Sequence, residues 1–247
     1  MGKKVEAEII IEKMTVGKAQ FTIIGMMPMI YNCMSSKAKH ELLYPKGRKT
    51  SADKAQNMKH NPIEEYRGSV YRMIGDDGET RLGFPAAAVK SAICNAALEI
   101  PGAKKAQIGR LVWVEGDMLP VFGKPKMLMS VVRSADMNKT PDIRTRAIIP
   151  EWCMKFTVNF VEPTMNVTTV ARLIETAGLV IGLGDFRQEK GKGNYGQCRL
   201  SDADEVKAIL QNGIKVQDAA LESPEFYDVE TQELYTWFES EKKTRGR

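Results

Sequence analysis

The residues best suited to chemistry stand in one run, from Gly178 to Arg199. Five glycines fall between Gly182 and Gly196, with Arg187, Lys190 and Lys192 among them and Phe186 and Tyr195 close by. Glycine lets a backbone take positive φ and come close to a ligand. Successive free N–H groups in such a loop form an anion-binding nest. Cations add charge against phosphate, and aromatic faces accept stacked bases. Gly182, Gly184, Arg187, Lys190, Lys192 and Tyr195 are therefore the candidate residues of a loop that grips a polynucleotide backbone. The plain alternative is a glycine-rich turn with solvated lysines. No Gly-Lys-Ser/Thr stands at P-loop spacing. Gly182-Leu-Gly184 lacks the third glycine of a dinucleotide fingerprint, and no helical pattern starts there. Phosphate bound here is expected to be polymer phosphate.

Other charged residues point the same way. From Lys37 to His60 seven cations, Lys46, Arg48, Lys49 and Lys54 among them, face only Glu41 and Asp53, a local excess of +5. From Ser201 onward six cations face eleven acids, giving −5. A chain polarised in this way suits holding a polyanion on one side. Arg144 and Arg146 point the same way if they lie on a strand, and they are candidates to grip successive phosphates. The other reading is an edge strand protected by charge. His40 and His60 are possible general bases, but neither has a positioned partner visible in the sequence. The four cysteines are far apart, with no CxxC pair and no Cys/His cluster, so no metal and no cofactor is expected. They are expected to stay reduced in a cytoplasmic protein. Nothing resembles a signal peptide or a membrane span.

These residues need elements to position them. At 247 residues, 43% hydrophobic and 27% charged, the chain can build a normal core. Val5 to Ile11 alternates like a strand. A turn at Val16-Gly17-Lys18 and a second strand from Ala19 to Met26 would complete a hairpin. Lys37 to Glu65 has poor apolar periodicity and reads as a mobile insertion. Tyr66 to Met73 reads as a short strand, followed by a turn at Gly75 to Gly78. Phe84-Pro85 opens a helix whose apolar stripe runs from Val89 to Ile100. Strands follow over Leu111 to Val114, Leu119 to Phe122 and Met127 to Arg133. Ser134 to Pro150 is polar and basic. Met154, Phe156, Val158 and Phe160 mark a strand with clean alternation. A second helix from Asn166 or Thr168 is expected to stop at Gly178. A short strand around Gly196 to Leu200 precedes a capping box at Asp202 to Glu205 that opens a helix through Leu210. Trp152 is read as packing. The expected architecture is α+β: a ferredoxin-like or RRM-like antiparallel sheet with helices on one face and inserted basic loops. Residues 1–200 would form this core, with the flexible basic insertion at about 37–65. Residues 201–247 would form a helical, acidic C-terminal extension.

Three strings resemble the RAMP superfamily of CRISPR proteins. Phe21-Thr-Ile-Ile-Gly-Met-Met-Pro28 resembles its opening strand and proline. Phe84-Pro-Ala-Ala-Ala-Val-Lys90 resembles its helix start, although the family favours Pro-Gly-Ser there. Gly182 to Gly196 resembles its glycine-rich loop. The resemblance is nearer to the subunits that line guide RNA than to the processing nucleases; a stand-alone, phage-encoded relative is an equal reading. It implies an RRM-like domain that polymerises along a single strand, with contacts to phosphates and low sequence specificity. It adds Lys90 to the candidate residues and makes the basic insertion a thumb. The expected function is a non-catalytic binder of single-stranded RNA or DNA that self-associates along the strand, with other subunits of a nucleoprotein complex as further partners. An endoribonuclease on the same scaffold and a virion or assembly protein are the alternatives.

Overall fold

The computed structural model describes residues 13–34, 36–44, 60–73, 78–133, 141–190 and 193–245. In chain order the elements are β1 (Thr15–Gly25), β2 (Met29–Ile30), α1 (Ser36–Leu43), α2 (Pro62–Gly68), β3 (Tyr71–Arg72), β4 (Leu82–Pro85), α3 (Ala86–Ala96) and α4 (Lys105–Leu111). Then come β5 (Val112–Val114), β6 (Met118–Phe122), β7 (Lys126–Arg133), β8 (Pro141–Ile149), β9 (Cys153–Glu162), α5 (Val167–Thr176), β10 (Cys198–Leu200), α6 (Lys207–Leu210), α7 (Ile214–Glu222) and α8 (Val229–Arg245).

The main sheet runs β10-β1-β9-β6-β4-β3, with β5 also paired to β9. Following β1, α3, β5 with β6, β9, α5 and β10 gives the β-α-β-β-α-β order of the ferredoxin-like fold. Among the described residues all its strand pairings are antiparallel. A second sheet, β2-β8-β7, stands beside it.

Alternation decides which face is buried. β1 pairs β9 from Thr15↔Glu162 to Ile24↔Cys153, so Phe21 meets Phe156 and Ile23 meets Met154. Residues directly opposite each other share a face. These four, with Val158 and Phe160, are buried with Val89 and Ile93 of α3 and Val170, Leu173 and Ile174 of α5. Each fully buried aliphatic or aromatic side chain contributes about 1.5–3 kcal/mol. The opposite face carries Lys18, Gln20, Thr22, Lys155 and Thr157, all at least partly exposed. Its lower end is covered by Val206 and Ile209, which pack on Phe122 and Cys153.

Several expectations are corrected. Val16-Gly17-Lys18 makes no turn: it lies inside the single strand β1, and Gly17 makes room for the Phe160 ring, which a Cβ would overlap. Tyr66 belongs to a helix, α2, capped by Asn61 and begun by Pro62. α1 and the first turn of α2 overlap the two ends of the stretch read as a mobile insertion, whose residues 45–59 lie outside the described residues, and Tyr66, just past it, is fully buried. Leu111 ends α4 rather than starting a strand. Thr145 to Ile149 of the supposedly polar segment is buried. α5 does not stop at Gly178: a π-helical turn over Ala177–Ile181 carries it on to Gly182, at φ 75°. Gly178 instead packs against the Cys198 carbonyl. The capping box does not form. Glu205 pairs with Arg199 and accepts from Ser201, and α6 begins later with no side-chain cap. The predicted strand at Val5 to Ile11 lies outside the described residues.

The C-terminal segment docks on this core. Gln217 of α7 is fully buried. It donates to the carbonyls of Val121, Gly123 and Asn212 and accepts from the amides of Arg81 and Leu82. Tyr66 Oη donates to Ala220 O, and Arg67 donates to Leu221 O and Glu222 O. The Thr231 hydroxyl accepts from the Met129 amide of β7.

Candidate nucleic-acid interface

The glycine loop is built into the protein's own backbone. Gly182, Gly184 and Gly196 have φ of 75°, 87° and 71°. A Cβ on Gly196 would overlap the Leu183 carbonyl, and one on Gly184 would lie 2.6 Å from Ile30 O. The amides are used internally: Gly182 N to Ala177 O, Leu183 N to Gly196 O, Asp185 N to Ile30 O, Tyr195 N to Phe186 O and Gly196 N to Pro28 O. The expectation of a nest of free amides is therefore corrected for this part of the loop. Its glycines allow a close backbone crossing between β2 and the approach to β10, which is the other standard reason for glycine.

The cations near the loop are engaged as well. Arg187 reaches Glu189 at 2.7 Å through Nη2 and donates through Nη1 to Gly184 O at 3.1 Å. Arg146, nine-tenths buried, pairs with Asp185 at 2.7 Å, and its guanidinium lies 5.5 Å from the Phe186 ring centroid. Burial holds its pKa below the usual arginine value, while Asp185 pulls it back up. Arg144, two residues away, stays exposed and reaches Asp142 at 3.5 Å. Arg144 and Arg146 do share a strand, but as one solvent-facing and one internally paired side chain, not as two open phosphate contacts. Tyr195 packs beside Ile30, Leu128 and Ile148.

Lys90 is elsewhere. It lies about 200° around α3 from Ala88 and Ala92, the residues that face the loop. It and Lys105 act on Cys94, whose thiol burial pushes up and the two lysines pull back down. The structure therefore brings together Gly182, Gly184, Arg187, Tyr195 and Arg146, and leaves Lys90 on the opposite flank of α3. Lys190 ends a short 3-10 turn. Lys192, Lys46, Arg48, Lys49 and Lys54 lie outside the described residues.

Between α3 and the loop lies a crevice of about 250 Å³. Asn32, Tyr71, Phe84, Ser91 and Asn95 line it, opposite the chain from Ile181 to Glu189. Asn32 donates to Asp185 Oδ2 at 3.2 Å, and Asn95 donates to Glu189 Oε1 at 2.6 Å. The neck of the basic stretch closes beside it, where Cys33 N donates to Ser69 O at 2.7 Å.

On the far face of the sheet, the central strands β1 and β9 present no aromatic. Phe21, Phe156 and Phe160 all turn toward the helices; Trp113 of β5, opposite Asn159, lies on the other side, as does Phe122 of β6, which Val206 and Ile209 cover. An RRM stacks bases on aromatics of those central strands. That platform is missing here.

His60 does have partners that the sequence could not show. Nδ1 lies 2.6 Å from Glu65 Oε1, and Nε2 lies 3.0 Å from Asp142 Oδ1. Both ring nitrogens are thereby occupied, which leaves neither aimed at a substrate. Among the described residues no three His, Cys, Asp or Glu side chains form a group able to hold a metal ion. Among those residues, too, no helix is long and apolar enough to cross a membrane.

Sequence reasoning missed Asn32, Tyr71, Asn95 and Asp185. One local signal was available: Asn95 is a poor helix former inside an alanine-rich helix, a position that calls for a reason. No family model matches the chain, and no curated protein does. Among solved structures, the chain is similar to Cmr6 from Pyrococcus furiosus at 7% identity and a TM-score of 0.39, over 76% of this chain and 98% of that one. It is also similar to a chain in the type III-B Cmr-beta complex bound to cognate target RNA, at 11% identity and a TM-score of 0.33. That likeness covers 77% of this chain and 60% of the other. Likenesses this distant carry no residue's role across.

Proposed function

We propose that this chain is a non-catalytic holder of single-stranded nucleic acid, indifferent to most of the sequence it holds, whose copies line up along the strand. The observation that carries the reading is the charge of two segments far apart in sequence: seven cations against two acids from Lys37 to His60, and Arg187, Lys190 and Lys192 in the glycine loop. The chain flanking the first segment is joined at Cys33 and Ser69, beside the crevice whose other wall runs from Ile181 to Glu189. Clustered cations favour phosphate by counterion release. The lack of aromatics on the central strands favours contacts to the backbone rather than stacking across the sheet. Because the amides of the loop serve the fold, the grip falls to side chains: Lys46, Arg48, Lys49 and Lys54 with Lys190 and Lys192.

The test is an anisotropy titration of unstructured RNA and DNA strands across a salt series. Wild-type affinity should fall steeply with salt, by roughly 0.7 log units per log unit for each phosphate contact. Changing Lys46, Arg48, Lys49 and Lys54 to Ala should weaken binding at least tenfold, about 1.4 kcal/mol, and flatten that slope. A flat salt response, or a variant that binds like wild type, sinks the reading. Incubation of labelled RNA with and without magnesium addresses the endoribonuclease alternative, since cleavage products would replace the non-catalytic role. An assembly that purifies free of nucleic acid would favour the structural-protein alternative.

A further inference from the structure

Two exposed surfaces are alike in build and opposite in charge. The first is the outer face of α8. On the inner side Thr231 is buried against β7, and Tyr235 packs on Phe226 with ring centroids 5.3 Å apart. Trp237 lies about 200° around the helix from Tyr235, and it stays 60% exposed. Glu230, Glu233 and Trp237 follow one another at spacings of three and four, so they share that face. Both glutamates are exposed. From Val229 to Glu241 the helix carries four acids and no cation. The second surface is the flank of α3 and α4 turned away from the crevice. From Lys90 to Arg110 four cations face Glu99 alone, an excess of +3. Lys90 of α3 and Lys105 of α4 both act on the Cys94 thiol, and a Cβ on Gly109 of α4 would lie 3.7 Å from Cys94 Sγ. The two helices therefore bring these lysines together. Lys104 and Lys105 are exposed, and Leu98, four residues beyond Cys94, is 67% exposed. Among the described residues, none of Glu230, Glu233, Lys90, Lys104 and Lys105 is in an ion pair.

Each surface has one bulky apolar residue set among charges of a single sign. Stable interfaces centre on such anchors, Trp above all, inside a polar rim. Opposite charges across the rim select the partner and fix its register, and a Trp face attracts cations. We propose that the outer face of α8 docks on the α3–α4 flank of a second copy of this chain, with Trp237 against Leu98 and the glutamates facing Lys90, Lys104 and Lys105. A phosphate strand would meet the same lysines, but it gains nothing from Leu98 and leaves Trp237 and its glutamates without a role; the acidic helix uses both surfaces. Because two different faces meet, the contact is heterologous. Each copy keeps one face of each kind for the next, so the contact repeats into an open row unless its rotation closes a ring. The inference deepens the strand-holding reading above, on which it rests for its purpose, by naming the joint through which copies line up.

Sedimentation of the whole protein at low salt, freed of nucleic acid, tests the joint without any strand. The wild type should form rows that grow with concentration and come apart as salt is raised. Trp237→Ala should weaken association by about tenfold or more. Glu230→Lys with Glu233→Lys should leave monomers, and so should Lys104→Glu with Lys105→Glu. These positions are exposed, so the melting temperature should not move. An equimolar mixture of the two charge-reversed variants should associate again, because every face then finds one of the opposite sign. A wild type that stays monomeric, reversed variants that associate like the wild type, or a mixture that stays dispersed overturns the proposal. Strand binding is read separately, by anisotropy on an oligomer too short for two copies, and both reversed variants should hold it as the wild type does. If Lys104→Glu with Lys105→Glu alone loses that oligomer, the flank belongs to phosphate, and the proposal is overturned while the strand-holding reading stands. If rows form but no strand binds, the joint stands and the strand-holding reading falls.

Discussion

At the scale of single residues, the glycine loop separates two reasons for glycine that look alike in a sequence. Gly196 combines positive φ with a carbonyl where its Cβ would stand, whereas Gly102, at φ 83°, faces open space. Gly102→Ala should cost only about 1 kcal/mol of strain. Gly196→Ala should cost more than about 4 kcal/mol or prevent folding, because the loop crossing itself must open. Urea denaturation of the pair checks the contrast, and equal losses would mean the crossing is not as tight as described. Arg146 offers a second test. Its side chain keeps 10% of its exposure and that of Asp185 keeps 31%, so water screens the pair in part. Arg146→Ala should cost about 2 kcal/mol, and Arg146→Met combined with Asp185→Asn should cost less than the single change. The cysteines follow burial. Cys198 is pushed up to about 12 and Cys153 to about 11, both chiefly by desolvation, while Cys33 is half-exposed. Alkylation at neutral pH, mapped by mass spectrometry, should mark Cys33 first and leave Cys198 untouched until the protein unfolds.

At the scale of elements, Gln217 joins five backbone groups from three segments, so α7 is part of the core and not an appendage. Gln217→Leu should cost about 3 kcal/mol or more, because buried amides and carbonyls lose partners with no water to replace them. Limited proteolysis should then cut between β10 and α8 at a rate the wild type does not show. The Arg199–Glu205 pair tests pH dependence. The Arg199 hydrogen bond, with help from Ser201, holds the Glu205 carboxyl down at about 2, from an ordinary value of 4.5. A lowered carboxyl value stabilises the fold above pH 4.5, and that contribution fades as pH falls toward 2. The wild type should melt above Glu205→Gln at pH 6, and the gap should close by pH 2. Elements with strong local signals were legible in the sequence: the alternation of β9, the apolar stripes of α3 and α5, and the ferredoxin-like order itself. What escaped depended on distant partners. Gly17 resembled a turn because its need to clear Phe160, far along the chain, leaves no local mark. Tyr66 resembled a strand residue because the carbonyls it bonds, at Pro125 and Ala220, lie on other segments. Half of the candidate site was legible in the same sense. The loop was found, but its glycines were given to a ligand when they serve the backbone of β2 and β10. The crevice was missed because its walls come from four separate stretches.

At the scale of the whole molecule, charge and surface decide the reading. The salt-dependent titration addresses the grip, and light scattering with and without a long strand addresses alignment: mass should rise with strand length, and a monomer at every length would remove self-association from the proposal. The two sheets also constrain how copies could meet. The main sheet ends in strands of three residues at β10 and two at β3, while β7 of the second sheet is flanked by the segment around Phe226 and by α8. β10 covers only Ile23–Gly25, so among the described residues Thr15–Thr22 of β1 pair with β9 alone and leave a border eight residues long, which a neighbour's strand can extend. A queue of these molecules can therefore be joined through that border, by side chains or by the shared polymer. A queue held by the polymer disperses when the polymer is digested, whereas one joined through the border of β1 survives digestion.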